Sequence, residues 1–293
     1  MNEPEFDLPA PLPENFAGHL LEVPEDEYHA AARRGEFLSS HALARFRRSP
    51  AAYHRWRIGT ARDEDSPALA FGRAAHALVL EGIEAFEDRY TTDEARPVNP
   101  KTGKPFGSAT KEYQNFLAAV APREVVEARD FESMLAMKRA VERTDEARRR
   151  VRGGVAERVA REHYAGFECQ VRADYVTRDF GIADLKTCRD LDRFEWDARD
   201  FGYIHQLAFY RAVLRVALAG NGGRDIPCAI VAVEKAEPFR CGVWRVAPWA
   251  LDAAEKENEA AMERLSACIR ADDWPEPVEW AGARTLDFPG SRE

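Results

Sequence analysis

The sequence predicts an α/β fold, a mixed sheet with an antiparallel meander at its centre, flanked by helices. Three observations carry this. Residues 167–176 (FECQVRADYV) put Phe167, Cys169, Val171, Ala173 and Tyr175 on one face and Glu168, Gln170, Arg172 and Asp174 on the other, the period-two pattern of a half-buried strand. Turn formers at 177–181 (TRDFG) then reverse the chain into GIADLKT, a second strand. Apolar-rich helical segments lie before and after this hairpin, the strongest over 66–82 and 202–219.

Taken in order, residues 1–20 carry four prolines and few apolar anchors, which predicts a disordered or loosely attached leader unlike a signal peptide. LSSHALARFRRSP reads as a helix capped by Ser39 or Ser40, with Leu43 and Phe46 inward and Pro50 ending it. AAYHRWRIG is a second short helix carrying Tyr53 and Trp56. Ser66-Pro67 opens a longer helix in which Gly72 and His76 share a face. A mid-helix glycine costs about 1 kcal/mol against alanine, so close approach by backbone or ligand is expected at Gly72.

Residues 91–110 form a polar loop. Helices follow over 111–121 and 132–150. Gly153-Gly154 breaks the pattern, and a strand over 155–164 reaches the central hairpin through an Ala165-Gly166 turn, completing a three-stranded meander over 155–164, 167–176 and 181–187. A loop then leads to the 202–219 helix, where Gln206 and Tyr210 lie four apart on one face. Two more strands (CAIVAVEK and RCGVWRVA), a helix over 248–270 and an extended tail close the chain. One domain over 21–280 is expected, with 281–293 as tail.

Composition narrows the function. A 45% hydrophobic and 32% charged chain of 293 residues with no long apolar run describes a soluble, cytoplasmic protein. Five scattered cysteines without a C-x-x-C pair argue against zinc ribbons and iron–sulfur clusters and for a reducing compartment. Net charge is −9, but it is segregated. Residues 29–62 hold eight arginines against one acid, and 251–293 hold eleven acids against five basic residues. A basic face of this kind can bind a polyanion despite the overall sign. Arg45, Arg48 and Arg55, interleaved with Phe46, Tyr53 and Trp56, could grip phosphates while the rings stack bases. The competing reading makes the aromatics core and the arginines solvated surface.

The chemistry concentrates in the hairpin. Asp184 and Lys186 share a face while Leu185 points away, so Asp174, Asp184 and Lys186 are expected on one surface patch. Paired carboxylates repel unless a proton or cation separates them, and their hard oxygens suit Mg²⁺ or Mn²⁺. A neighbouring lysine can orient a water or hold a phosphate oxygen, which fits metal-assisted phosphodiester hydrolysis. The bland alternative is an exposed hairpin with solvated charges. His76 is either a satisfied core histidine or a metal ligand.

The order of LSSHALARFRRSPAAYHRW, FGRAAHALVLEG, ECQVRADYV, GIADLKT and GYIHQLAFYRAVL resembles the PD-(D/E)xK nuclease superfamily, and within it the RecB-like group containing RecE-type exodeoxyribonuclease VIII and phage relatives. The resemblance implies a restriction-endonuclease-like core. It implies Asp174, Asp184 and His76 as ligands of Mg²⁺ or Mn²⁺, with the Leu185 carbonyl close to the ion. Lys186 would position the attacking water and stabilise charge on the phosphate. Gln206 and Tyr210 would contact the DNA backbone or orient the catalytic groups. Glu157 or its rival Glu162 would supply a further active-site carboxylate. The chain has Asp-Leu-Lys where many relatives have Glu-x-Lys, and both forms occur in the family. The implied activity is a DNA exonuclease, 5′ to 3′ on duplex ends, serving phage or prophage recombination, with a single-strand annealing protein as partner and a homo-oligomeric assembly. An endonuclease of the same superfamily and a non-catalytic DNA-binding module are the rivals.

Overall fold

The computed structural model describes residues 20–61, 66–218 and 225–276. The expected leader up to residue 19 and the tail 281–293 lie outside the described residues. The N-terminal helices are α1 (Glu25–Arg34), α2 (Ser40–Arg48) and α3 (Pro50–Arg57). Ser39 caps α2 through the Ala42 N–H, and Ser49 caps α3 through the Ala52 N–H. α4 (Pro67–His76), capped by Ser66, runs directly into a π-helical turn over Ala77–Glu81. Turns of this type recur at functional sites, and here one begins at the residue after His76.

α5 (Ile83–Arg89) leads into β1 (Tyr90–Thr92), which pairs in parallel with β2 (Glu124–Val126) across α6 (Lys111–Val120). Of this small sheet only β1 overlaps the stretch 91–110 expected to be loop, and β2 lies beyond it. The next expected helix is two, α7 (Ala128–Arg143) and α8 (Asp145–Arg150), split at Thr144.

The main sheet has five strands in sequence order: β3 (Val155–Tyr164), β4 (Phe167–Val176), β5 (Ile182–Cys188), β6 (Cys228–Glu234) and β7 (Cys241–Arg245). All pairings are antiparallel except β5–β6, so the expected mixed sheet and meander are present. α9 (Phe194–Asp200) and α10 (Tyr203–Ala217) form the crossover from β5 to β6, and α11 (Pro248–Ala271) packs on α10. Arg211 on α10 pins that contact, with Nη2 2.6 Å from Asp252 Oδ1 and 2.8 Å from Glu255 Oε2. Gly181 is required where β5 starts beside β6, because a Cβ there would lie 2.8 Å from the Pro227 carbonyl oxygen.

Two apolar layers sandwich the sheet. One joins Leu43, Phe46, Phe209, Val213 and Leu265 from α2, α10 and α11 to Cys169, Val171 and Ala173. The other joins Leu78, Met134 and Met137 to Leu185, Val231 and Val233. β4 is therefore covered on both faces, not half-buried as its alternation implied. α1 covers the polar face, where Gln170 donates to the Tyr28 carbonyl at 2.6 Å and is fully buried. Phe46, Tyr53 and Trp56 are buried in the first layer. They are core and offer no ring to a base. Arg45 lies over the Trp56 ring at 5.3 Å, while Arg48 and Arg55 are exposed. Gly72 has open space where a Cβ would stand, so no protein backbone explains it.

Candidate active site

β3 and β4 pair along nearly their whole length, whereas β4 and β5 pair only at Tyr175–Ala183 and Val176–Ile182. Beyond that junction the two strands diverge, and the side chains of interest collect at the fork. Asp174 comes from β4, Asp184 and Lys186 from β5, His76 from the end of α4 and Glu157 from β3. The site is largely buried instead of a surface patch: Asp184 is fully inaccessible and Asp174 is 9% exposed. Backbone geometry sustains the arrangement. The Leu185 N–H donates to Asp174 Oδ2 at 2.9 Å across the fork.

Of the two candidate glutamates, Glu157 is the one that lies at the fork. Ligand atoms of His76, Glu157 and Asp174 lie within 4.8 Å of one another, with His76 Nδ1 3.7 Å from both Glu157 Oε1 and Asp174 Oδ2. Glu162 instead pairs with Cys169 five residues further along β3. Glu157 has φ +53°, and the β3–β4 ladder omits it, although its neighbours pair in constant register on either side. A left-handed conformation outside glycine costs on the order of 1–3 kcal/mol and concentrates at functional sites. Arg172 Nε holds the other oxygen of Glu157 at 2.7 Å.

Asp184 is held differently. Lys186 Nζ lies 2.6 Å from its Oδ2, and Gln206 Nε2 donates to Oδ1 at 3.4 Å and to the Tyr210 hydroxyl at 3.1 Å. The side chains spaced to hold a cation together are His76, Glu157 and Asp174, while Asp184 is engaged by the lysine and the glutamine. Tyr210 is 3% exposed, a placement that suits orienting Gln206 and Asp184 and withholds its hydroxyl from DNA. Lys186 Nζ also sits 4.9 Å from the centre of the Tyr203 ring.

Electrostatics follow from burial and from the crowding of three carboxylates among three basic groups. Burial and the neighbouring Asp184 push the Asp174 carboxyl up to about 7, against the pull of His76 and Lys186. Burial opposes charge on His76, but Asp174 and Glu157 outweigh it and raise the imidazole to about 9. Glu157 is held below the usual carboxylate range against its own burial, by His76 and Arg172. Lys186 is likewise raised above its ordinary value by Asp184 and Asp174 despite burial.

This donor set fits a hard divalent cation. Ligands of an octahedral Mg²⁺ stand roughly 3–4 Å apart, close to the spacing here, and an imidazole among carboxylates suits Mn²⁺ equally. The buried Asp184 adjoins this group, its Oδ2 2.6 Å from the Lys186 ammonium.

Arg172 and Tyr203 were not singled out from the sequence. Arg172 could have been found, since it stands two residues before Asp174 on the same strand face. Tyr203 carried no signal, because only the packing of α10 brings it to Lys186.

Comparison with known proteins agrees with this geometry. No curated protein matches the chain. Among solved structures, the crystal structure of a candidate exonuclease from Eubacterium rectale superposes with a TM-score of 0.63 at 17% identity, covering 92% of this chain and 97% of that one. At that identity the likeness is one of fold. A family model, the PDDEXK-like domain of unknown function (DUF3799), matches residues 39–283. That span takes in α2, the fork and all its converging side chains, and the chain belongs to this PDDEXK-like family.

Proposed function

We propose that the protein is a divalent-cation-dependent deoxyribonuclease, an exonuclease acting 5′ to 3′ on duplex ends in recombination of the phage or prophage type. The observation that carries the nuclease reading is the convergence of His76, Glu157 and Asp174 within 4.8 Å beside the Asp184–Lys186 pair. Mg²⁺ or Mn²⁺ held by His76, Glu157 and Asp174, with Asp184 adjoining, would supply Lewis-acid polarisation of the scissile phosphate. Lys186 places an ammonium where negative charge develops on the phosphate oxygens and can orient the attacking water. Gln206, itself positioned by Tyr210, keeps Asp184 turned into the fork. Arg172 keeps Glu157 there. Exonuclease polarity, a RecE-type grouping, a single-strand annealing partner, a homo-oligomer and a cytoplasmic location rest on the motif resemblance. Among the described residues no helix is long and apolar enough to cross a membrane.

The test is digestion of end-labelled linear duplex in Mg²⁺, Mn²⁺ or EDTA, alongside covalently closed circular DNA. Metal-dependent release of mononucleotides from linear DNA, with circles intact, is the expected result. Cutting of closed circles would replace the exonuclease with an endonuclease. Undiminished cleavage in EDTA would sink the metal mechanism.

A further inference from the structure

We infer that Phe201 and Tyr203 form a stacking platform for an unpaired nucleobase of the strand being cut; the inference rests on the nuclease reading above. Phe201 is 68% exposed, among the most exposed large apolar residues of the described chain. Leaving a ring of that size in water forgoes about 2 kcal/mol of burial, which a base stacked on it would recover. It is not a loose side chain. Its backbone N–H donates to the Asp197 carbonyl at 2.9 Å, and Gly202, at φ +70°, donates to the Arg199 carbonyl at 3.1 Å, so the α9–α10 turn presents the ring from a hydrogen-bonded backbone.

The ring is connected to the catalytic fork. The Phe201 and Tyr203 rings are 5.7 Å apart, tilted by 31°, and the Tyr203 ring lies 4.9 Å from Lys186 Nζ. Two contacts thus link an exposed aromatic face to the ammonium placed at the scissile phosphate. Successive bases along one strand are about 3.4 Å apart, so this reach covers a base within a few nucleotides of the cut. The platform is braced from below. Tyr203 packs on Phe194 at 6.2 Å, and the buried Phe194 packs on Trp244 at 4.5 Å. A base in a duplex has both faces covered by its neighbours, so the occupant is a base freed from the stack, as in a frayed end or a single-stranded overhang.

The experiment uses the full chain in EDTA, with DNA carrying 2-aminopurine at the terminal nucleotide of a frayed end. The wild type should shift the 2-aminopurine emission on binding, and Phe201→Ala should abolish the shift and weaken binding about 5- to 150-fold. Phe201→Trp should restore both, whereas Phe201→Leu, apolar but without a π-face, should not. Trp196 serves as the control. It is 63% exposed on α9, five residues before Phe201, and packs against Arg199, so Trp196→Ala should leave binding unchanged. Rescue by leucine, or full emission shift in Phe201→Ala, overturns the platform. If the wild type cleaves DNA with Mn²⁺ while Phe201→Ala binds normally, the platform alone fails. If the wild type neither binds nor cleaves DNA, the nuclease reading falls with it.

Discussion

Two buried carboxylates of the same sheet behave in opposite ways. Asp174 on β4 is 9% exposed and Glu234 at the end of β6 is 4% exposed. Asp174 is pushed up to about 7, by burial and by Asp184. Glu234 is drawn down to about 2, first by Arg240, whose Nη2 lies 2.6 Å away, and then by the Leu191 and Arg240 backbone N–H groups. Surface exposure is similar, so what differs is the surroundings: desolvation is the largest influence on Asp174, and hydrogen bonding from Arg240 the largest on Glu234. Glu234 receives the Arg240 guanidinium on both oxygens together with two backbone amides, and the same guanidinium also reaches Asp190 and Asp192. Asp174 shares its space with two further carboxylates, and the cations nearby are divided among them. Glu234 is a finished structural anchor, while at the fork three carboxylates crowd one buried space and Asp174 is held above its ordinary range. A divalent cation there would favour its charged form.

The sharpest way to break this contrast lies at the fork. Lys186→Ala should lower the cleavage rate roughly 10²- to 10³-fold while calorimetric Mn²⁺ binding persists, because the ligand group is left in place. Asp184→Asn should lower rate and Mn²⁺ affinity together. Loss of metal binding in Lys186→Ala, or near-normal turnover, would remove the lysine from its assigned role.

Stability gives the next test, with opposite signs in the two regions. Glu234→Gln should destabilise by about 1–3 kcal/mol, since it weakens a buried charge-assisted network. Asp174→Asn removes a buried carboxyl held above its ordinary range and should stabilise the metal-free protein by on the order of 1 kcal/mol while reducing the rise in Tm on adding Mn²⁺. Thermal melts of both variants in EDTA and in Mn²⁺ decide this, and destabilisation in both would erase the distinction.

The pH profile sharpens the Glu234 side. Its folded pKa of about 2 lies below the ordinary 4.5, so the unfolded chain binds the extra proton first as pH falls. The contribution of Glu234 is complete above pH 4.5 and declines as pH drops toward 2. In urea unfolding, the gap between wild type and Glu234→Gln should therefore narrow from pH 6 to pH 3. A constant gap would mean the clamp is not electrostatic.

The smallest expected effect concerns neither carboxylate but the substrate that would approach them. Replacing Arg45, Arg48 and Arg55 together with glutamine should flatten the slope of log K against log salt for duplex binding by no more than ~0.9 per lost phosphate contact. Arg45 already rests on Trp56, so the exposed Arg48 and Arg55 should carry most of the change. An unaltered slope assigns all three to solvated surface.

What the sequence determined by itself was what local periodicity encodes. The alternation in FECQVRADYV and the Ala165-Gly166 turn, both residues at positive φ, are properties of neighbours along the chain. They specify the β3–β4 hairpin, and the D-x-K spacing on β5 likewise places Asp184 and Lys186 on one side of a strand. The helix starts at Ser66 and at Ser39, the latter with Ser40 as its alternative, were legible for the same reason, as hydrogen bonds that close within three residues; the Ser49 cap was not read. The fork was not legible, because it depends on where β4 stops pairing with β5, and that is set by α4 and α10 packing against opposite faces of the sheet. Tertiary structure alone chose Glu157 over Glu162, by twisting one residue of β3 into a left-handed conformation opposite Asp174. It also turned Phe46, Tyr53 and Trp56 into core and left Phe201 in solvent. A ring's burial depends on which distant helix covers it, and no spacing along the chain carries that information.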